Sequence, residues 1–155
     1  LTKSDGVPDP ALVEKINQYR PGTELIECTH RPQHLREVFG EKELPLSYLK
    51  GRRVACLSAI AVPESFEKFV AEHGAYIVSK SRFLDHHRFD QDELGEVFED
   101  ALENRAEFIV TTEKDAVRID PSVHSPLPMY FLRVEIKILS GVADFDEAVS
   151  RICRD

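Results

Sequence analysis

The sequence predicts an α/β protein: a mostly parallel sheet with helices on both faces. Three observations carry that expectation. From Arg52 onward, short apolar β-type runs alternate with amphipathic stretches of helical spacing. The 155 residues are enough for a core that covers such a sheet. Two polar clusters, Phe83-Leu84-Asp85-His86-His87-Arg88-Phe89 and Thr111-Thr112-Glu113-Lys114-Asp115-Ala116-Val117-Arg118, each follow directly on an apolar run. Ligands of α/β proteins bind at the ends of strands, so the two clusters together point to one shared site.

The elements follow in order. Asp9-Pro10 opens a helix, with aspartate as N-cap and proline in the first turn, where its missing N–H costs nothing. Leu12, Val13, Ile16 and Tyr19 mark its apolar face, and Pro21-Gly22 ends it. Glu24 to Cys28 reads as a short strand. His30 to Gly51, broken by Pro32, Gly40, Pro45 and Gly51, reads as a connection between two subdomains rather than as core. Val54 to Ile60 is a buried strand running into a loop of small residues. A helix follows from Pro63, buried through Phe66, Phe69 and Val70, and stops at Gly74. Ala75 to Val78 is the next strand.

Asp90 and Glu93 form a capping-box-like helix start. The stripe behind it, Leu94, Val97, Phe98, Ala101 and Leu102, follows the i, i+3, i+4, i+7, i+8 spacing of a buried helix face. Glu107 to Thr111 and Met129 to Val134 are further strands, separated by a loop holding Pro121, Pro126 and Pro128. Asp144 and Glu147 cap a last helix, with Phe145, Ala148, Val149, Ile152 and Cys153 expected to face inward. Right-handed crossovers between parallel strands place the ends that carry the polar clusters along the same edge.

Composition excludes several classes. With 42% hydrophobic and 31% charged residues the chain is an ordinary globular protein, and no run reaches the length of a transmembrane helix. Leu1 is not methionine, and Leu1 to Gly6 reads as the exit from a strand, so a fragment of a longer protein is expected. The three cysteines, Cys28, Cys56 and Cys153, are widely spaced without a C-x-x-C. Cys56 and Cys153 read as reduced, buried, small hydrophobes, which fits a reducing, cytoplasmic compartment. The net charge is -8, yet seven acids fall between Asp90 and Glu103 with no Lys or Arg among them. That helix face accounts for most of the acidity, and the remainder is nearly neutral. No basic stripe or interleaved aromatic pattern indicates nucleic acid.

Asp85-His86 pairs a carboxylate with an imidazole, which suits a general base or a group that helps one. A surface turn capped by Asp85 explains the same pair without chemistry. In the second cluster, Lys114 can neutralise a phosphate, Thr112 can donate to one, and Glu113 or Asp115 can hold Mg²⁺ or receive a proton. A helix N-terminus accounts for Thr112 as N-cap with Asp115 three residues on. It does not account for Lys114, because a cation opposes the helix dipole in the first turn. Lys80, Arg82 and Arg88 flank the first cluster, so an anionic substrate is admitted. His30 and His34 stand four apart with Pro32 between them, and His73 and His124 lack obvious partners, which is too loose a set for zinc.

Taken in order, Ala55-Cys56-Leu57-Ser58-Ala59-Ile60-Ala61-Val62-Pro63-Glu64-Ser65-Phe66, Gly74, Phe83-Leu84-Asp85-His86 and Thr112-Glu113-Lys114-Asp115-Ala116-Val117-Arg118 resemble the C-terminal half of the tetraacyldisaccharide 4'-kinases, the lipid A 4'-kinases. The T-E-K-D-A-V string is the most specific element. The resemblance implies the C-terminal lobe of a P-loop-kinase-like protein, with residues 1–51 as the tail of the nucleotide-binding half and linker, and 52–155 as the C-terminal α/β lobe. It implies transfer of the ATP γ-phosphate to the 4'-hydroxyl of tetraacyldisaccharide 1-phosphate, with Mg²⁺. It also implies that the full-length protein works at the cytoplasmic face of the bacterial inner membrane. His86, with Asp85, is the implied catalytic contribution, His87 having a lesser role. Lys114, Arg82, Arg88, Thr112, Glu113 and Asp115 are candidate substrate- and phosphate-binding residues.

The sequence contains no G-x-x-x-x-G-K-S/T. The groups that hold ATP and Mg²⁺ are therefore expected in a missing N-terminal half, and neither is expected to bind this chain alone. Two other readings stand beside this one. A non-catalytic interaction or regulatory module would use both clusters only as caps. A metal phosphohydrolase would use the Asp85-His86-His87 triplet, although the further Asp motifs of such two-metal sites are absent.

Overall fold

The computed structural model describes Val7, residues 9–23 and residues 25–153, the side chain of Asp144 excepted. The readings of Leu1 to Gly6 as a strand exit, of Glu24 as a strand start and of Asp144 as a helix cap lie outside the described residues. By its contacts the chain divides into two compact units. The larger is Pro32–Val134, and the smaller comprises the described residues up to Arg31 and from Glu135 on. The boundary expected at 51/52 concerns the two halves of a longer protein and stays a proposal.

The strands are β1 (Glu27–Glu37), β2 (Glu43–Pro45), β3 (Arg53–Ser58), β4 (Tyr76–Arg82), β5 (Phe108–Thr112) and β6 (Met129–Ser140). Among the described residues they form a six-stranded sheet in the order β2-β1-β6-β5-β3-β4. β3 pairs in parallel with β4 and β5, and β5 in parallel with β6, while β1 and β2 are antiparallel. The sheet is therefore mixed, with the parallel part expected from the alternation of strands and helices. Every residue of β3 from Val54 to Ser58 is buried, as a parallel strand covered on both faces requires.

The helices that cover it are α2 (Pro63–Glu72) and α3 (Gln91–Glu103). Period-two alternation along β3 decides which face meets which helix. Ala55 and Leu57 join a core with Leu94, Val97, Phe98 and Ala101 of α3. Val54 and Cys56 join the opposite core with Phe66 and Val70 of α2. Burial pushes the Cys56 thiol up to about 12, with the Glu67 carboxylate adding to the shift, so Cys56 is a protonated core residue.

The capping box of α3 forms as expected. Asp90 Oδ1 accepts from the Glu93 N–H at 2.8 Å, and Glu93 Oε2 accepts from the Asp90 N–H at 3.0 Å. The predicted stripe is buried except Leu102, which lies on the exposed margin. At the other end the chain turns through Arg105 at φ 55, and Arg53 donates to the carbonyls of Asn104 and Arg105, a cation on the helix C-terminus.

The stretch from His30 to Gly51 corrects the sequence reading. β1 runs on through Pro32, which precedes the residues His34–Arg36 that pair with β2. Leu35 and Leu49 are fully buried in the α2-side core. The segment therefore contributes to the core, with Leu44, Leu46 and Tyr48 packed against the same cluster, although most of its residues stay at the surface.

In the smaller unit, α1 (Pro10–Tyr19) begins as read, with Asp9 Oδ1 accepting from the Leu12 N–H at 3.0 Å. None of its residues is fully buried: on the apolar face Val13 and Ile16 are half-buried, while Leu12 and Tyr19 are exposed. α5 (Val142–Ile152) differs more. It starts behind Gly141, whose φ of 76 and close approach to the Leu25 carbonyl admit no Cβ. Phe145, Val149 and Cys153 are exposed and Ile152 is 78% exposed, so the inward-facing reading of this helix, Cys153 included, is overturned. The amphipathic spacing is present, but among the described residues its apolar side is only partly covered, Ala148 being half-buried. No helix of the described residues is long and apolar enough to cross a membrane.

Candidate active site

Register places the two clusters. Ser58 at the end of β3 pairs with Arg82 at the end of β4, and Leu57 pairs with Thr111 of β5. The loops that leave these three strands therefore emerge side by side on one edge of the sheet, as right-handed crossovers demand.

Ala59 ties them together. Its carbonyl accepts from the His86 N–H at 3.3 Å, and the neighbouring Ser58 carbonyl accepts from the Phe83 N–H at 2.9 Å. Its own N–H donates to Asp115 Oδ2 at 3.0 Å. One small, buried residue thus fixes the backbone of the first cluster and the carboxylate of the second.

The second cluster is a strand end turning into a single helical turn, α4 (Glu113–Ala116). Thr112 is its N-cap, as expected. The Thr112 hydroxyl accepts from the Asp115 N–H at 3.2 Å and donates to Asp115 Oδ2 at 2.7 Å. Asp115 is fully buried, so its carboxylate orders the loops and has no free face for a ligand. Glu113 forms an ion pair with Arg133 of β6. Lys114 is exposed and has no hydrogen-bond or ion-pair partner among the described residues.

His86 adopts a left-handed backbone at φ 66, uncommon for a residue with a Cβ. Its side chain is 78% exposed, with Nε2 at 3.8 Å from Asp85 Oδ2. His87 turns the other way. It stacks on Phe83 and bonds Glu93 Oε2 at 2.8 Å, and this bond, with that from the Asp90 N–H, holds the Glu93 carboxyl below its ordinary range. His87 therefore braces the start of α3. Arg88 is exposed and unpaired among the described residues. Arg82 is engaged elsewhere: its guanidinium binds Glu67 through Nε and Nη2 at 2.7 and 2.8 Å and Glu64 through Nη1 at 2.7 Å.

The residue that joins the clusters is Arg118, which the sequence reading counted only among the cations of the second cluster and not among the candidate site residues. Arg118 Nη1 donates to Asp115 Oδ1 at 3.1 Å, and Arg118 Nη2 donates to His86 Nδ1 at 2.9 Å. Its spacing three residues after Asp115 is a local signal, but the reach to His86 is set only by the fold. Two strings that stand 32 residues apart thus meet in one hydrogen bond. No three His, Cys, Asp or Glu side chains cluster to hold a metal among the described residues. The carboxylates of the second cluster, consumed by Arg133, Arg118, Thr112 and Ala59, do not fit a Mg²⁺ ion.

The profile of the tetraacyldisaccharide-1-P 4'-kinase family matches residues 6–154. The chain belongs to that family. A tetraacyldisaccharide 4'-kinase of Syntrophus aciditrophicus (strain SB) is 39% identical over 126 residues, covering 81% of this chain and 33% of the relative. One from Anaeromyxobacter dehalogenans (strain 2CP-1 / ATCC BAA-258) is 41% identical over 148 residues, covering 90% of this chain and 39% of the relative. Among solved structures, LpxK from Aquifex aeolicus in complex with ATP matches with a TM-score of 0.50 at 18% identity, over 88% of this chain and 40% of that one, a likeness in fold. Across these family members the chain spans between 33% and 40% of the partner's length.

Proposed function

We propose that this chain is the C-terminal part of an ATP-dependent tetraacyldisaccharide 4'-kinase, transferring the γ-phosphate to the 4'-hydroxyl of a tetraacylated disaccharide 1-phosphate. The observation that carries the reading is the hydrogen bond between His86 and Arg118, which brings the Asp-His string and the Thr-Glu-Lys-Asp-Ala-Val-Arg string to one place. Independent capping motifs would have no reason to meet. Phosphoryl transfer is mostly positioning and electrostatics, so a lobe that contributes an imidazole and cations is a workable half of such a site.

The roles divide by exposure. His86, with Asp85 beside it, faces the acceptor hydroxyl. Lys114 and Arg88, exposed and unpaired among the described residues, answer phosphate charge. Thr112, Asp115, Glu113 and Arg82 hold the frame through the bonds described above. Leu84, 84% exposed beside Asp85, and Val117, 81% exposed beside Arg118, offer apolar surface suited to an acylated substrate. ATP and Mg²⁺ belong to the remainder of a protein of the relatives' length, which works at the cytoplasmic face of the membrane. No step through the metal is assigned to the residues described here.

The test is phosphotransfer from ATP to tetraacyldisaccharide 1-phosphate by the complete protein. His86→Ala is expected to lower turnover by about a hundredfold or more with the fold unchanged, and the chain by itself to be inactive. Wild-type turnover in the His86→Ala protein would sink the reading.

A further inference from the structure

We propose that Arg118 is a positioning residue for His86: it fixes the imidazole with its proton on Nε2, so that the outward nitrogen enters the site as a hydrogen-bond donor. The inference rests on the reading in which His86 meets the acceptor, and it names the group that sets His86's orientation and tautomer.

The argument is one of donors and acceptors. A guanidinium has five N–H donors, no acceptor, and keeps its charge at any relevant pH. At 2.9 Å from Arg118 Nη2, Nδ1 of His86 therefore accepts. An imidazole whose Nδ1 accepts carries its single proton on Nε2. The other tautomer would set two N–H groups against each other. Nε2 is left toward Asp85 Oδ2, 3.8 Å away, and toward solvent, where a substrate oxygen can take the proton's hydrogen bond.

Arg118 can impose this because it is itself held. One arm of its fork lies on Asp115 Oδ1 at 3.1 Å and the other on His86, so the plane of the guanidinium is set by two contacts. Asp115 is fully buried and pinned by the Ala59 N–H and the Thr112 hydroxyl. The His86 backbone is pinned to the carbonyl of the same Ala59. Both ends of the Asp115–Arg118–His86 chain thus rest on Ala59, the residue that follows β3, which gives a mostly exposed histidine a held ring orientation. Lysine in place of Arg118 keeps a cation beside Asp115 but lacks the planar fork that reaches both partners.

The first measurement is on ¹⁵N-labelled complete protein under alkaline conditions, where histidine is neutral. The expected result is a His86 Nδ1 resonance displaced by an accepted hydrogen bond and scalar-coupled to an Arg118 Nη. In Arg118→Lys the coupling is lost and the Nδ1–H tautomer appears. An uncoupled Nδ1 in the unsubstituted protein overturns the proposal without any assay of activity. The second measurement is kinetic. Arg118→Lys is expected to lower kcat by about tenfold or more while each KM stays within about twofold. In a His86→Ala background the same substitution is expected to change kcat by less than about twofold, because the two residues act as one unit. Full kcat in Arg118→Lys, or an undiminished loss in the His86→Ala background, overturns it. Failure of the functional reading shows differently, as wild-type turnover in His86→Ala with the coupling between Arg118 and His86 intact.

Discussion

Thr111 and Thr112 are neighbours in sequence whose hydroxyls meet opposite circumstances. Thr111 is fully buried on β5, and its Oγ1 has no hydrogen-bond partner among the described residues. Thr112 Oγ1 both accepts from and donates to Asp115. A buried hydroxyl without a partner is a net cost, and an N-cap hydroxyl is a net gain. Thr111→Val is therefore expected to raise unfolding stability by about 1 kcal/mol, and Thr112→Val to lower it by about 1 to 2 kcal/mol. Denaturant midpoints of the two variants measure both, and equal shifts of the same sign would refute the distinction. The cap at Thr112 was legible in the sequence because capping is local. The isolation of Thr111 was not, since it depends on what the adjacent strands place around it.

Between α2 and β4 the decisive feature is Glu67, a carboxylate on the buried face of a helix. Its side chain is 5% exposed and meets Lys80 Nζ at 2.8 Å as well as the Arg82 fork. The hydrogen bonds from Arg82, and then those from Lys80, hold the Glu67 carboxyl below the usual glutamate value of 4.5 against the cost of its desolvation. A folded value below the unfolded one means that the stabilisation is present above the unfolded value and is lost as pH falls through the folded one. Glu67→Gln is expected to cost about 2 kcal/mol near neutral pH, since both cations are half-exposed and rehydrate. The difference from the parent should shrink as pH falls below the ordinary glutamate value, as protonation removes the same interaction from the parent. A difference independent of pH would exclude the ion cluster as its source. Glu67 escaped the sequence reading because its partners come from another element. By the same contact Arg82, read as a phosphate ligand by its place beside Asp85, has its charge answered by Glu64 and Glu67. The acidic face of α3, its capping box and most of its apolar stripe were legible, because helical spacing and caps are written within a dozen residues.

For the whole molecule, alternation of apolar runs and amphipathic helices foretold a parallel sheet covered on both faces, and right-handed crossovers foretold the shared edge. Strand order was not legible: β5 lies between β3 and β6 through pairings between segments far apart in sequence. The same holds for β1, where Pro32 reads locally as a breaker yet the strand passes through it. The candidate site was legible as two strings following two strands. Its closure through Ala59, Asp115 and Arg118 was not, because every one of those bonds except the Asp115–Arg118 pair joins distant parts of the chain.

The amide of Ala59 turns that closure into a clock. Its hydrogen is bonded to a carboxylate 56 residues away, not to a strand neighbour, so no fraying of a single loop frees it. Exchange with solvent deuterium should need the opening that separates β3 from β5, and its rate should approach that of the slowest core amides. Asp115→Asn is expected to speed exchange at this position ahead of its neighbours on β3, while fast exchange in the unsubstituted protein would contradict a closed loop cluster. One proton, followed over hours, then reports whether the edge that carries His86 is assembled.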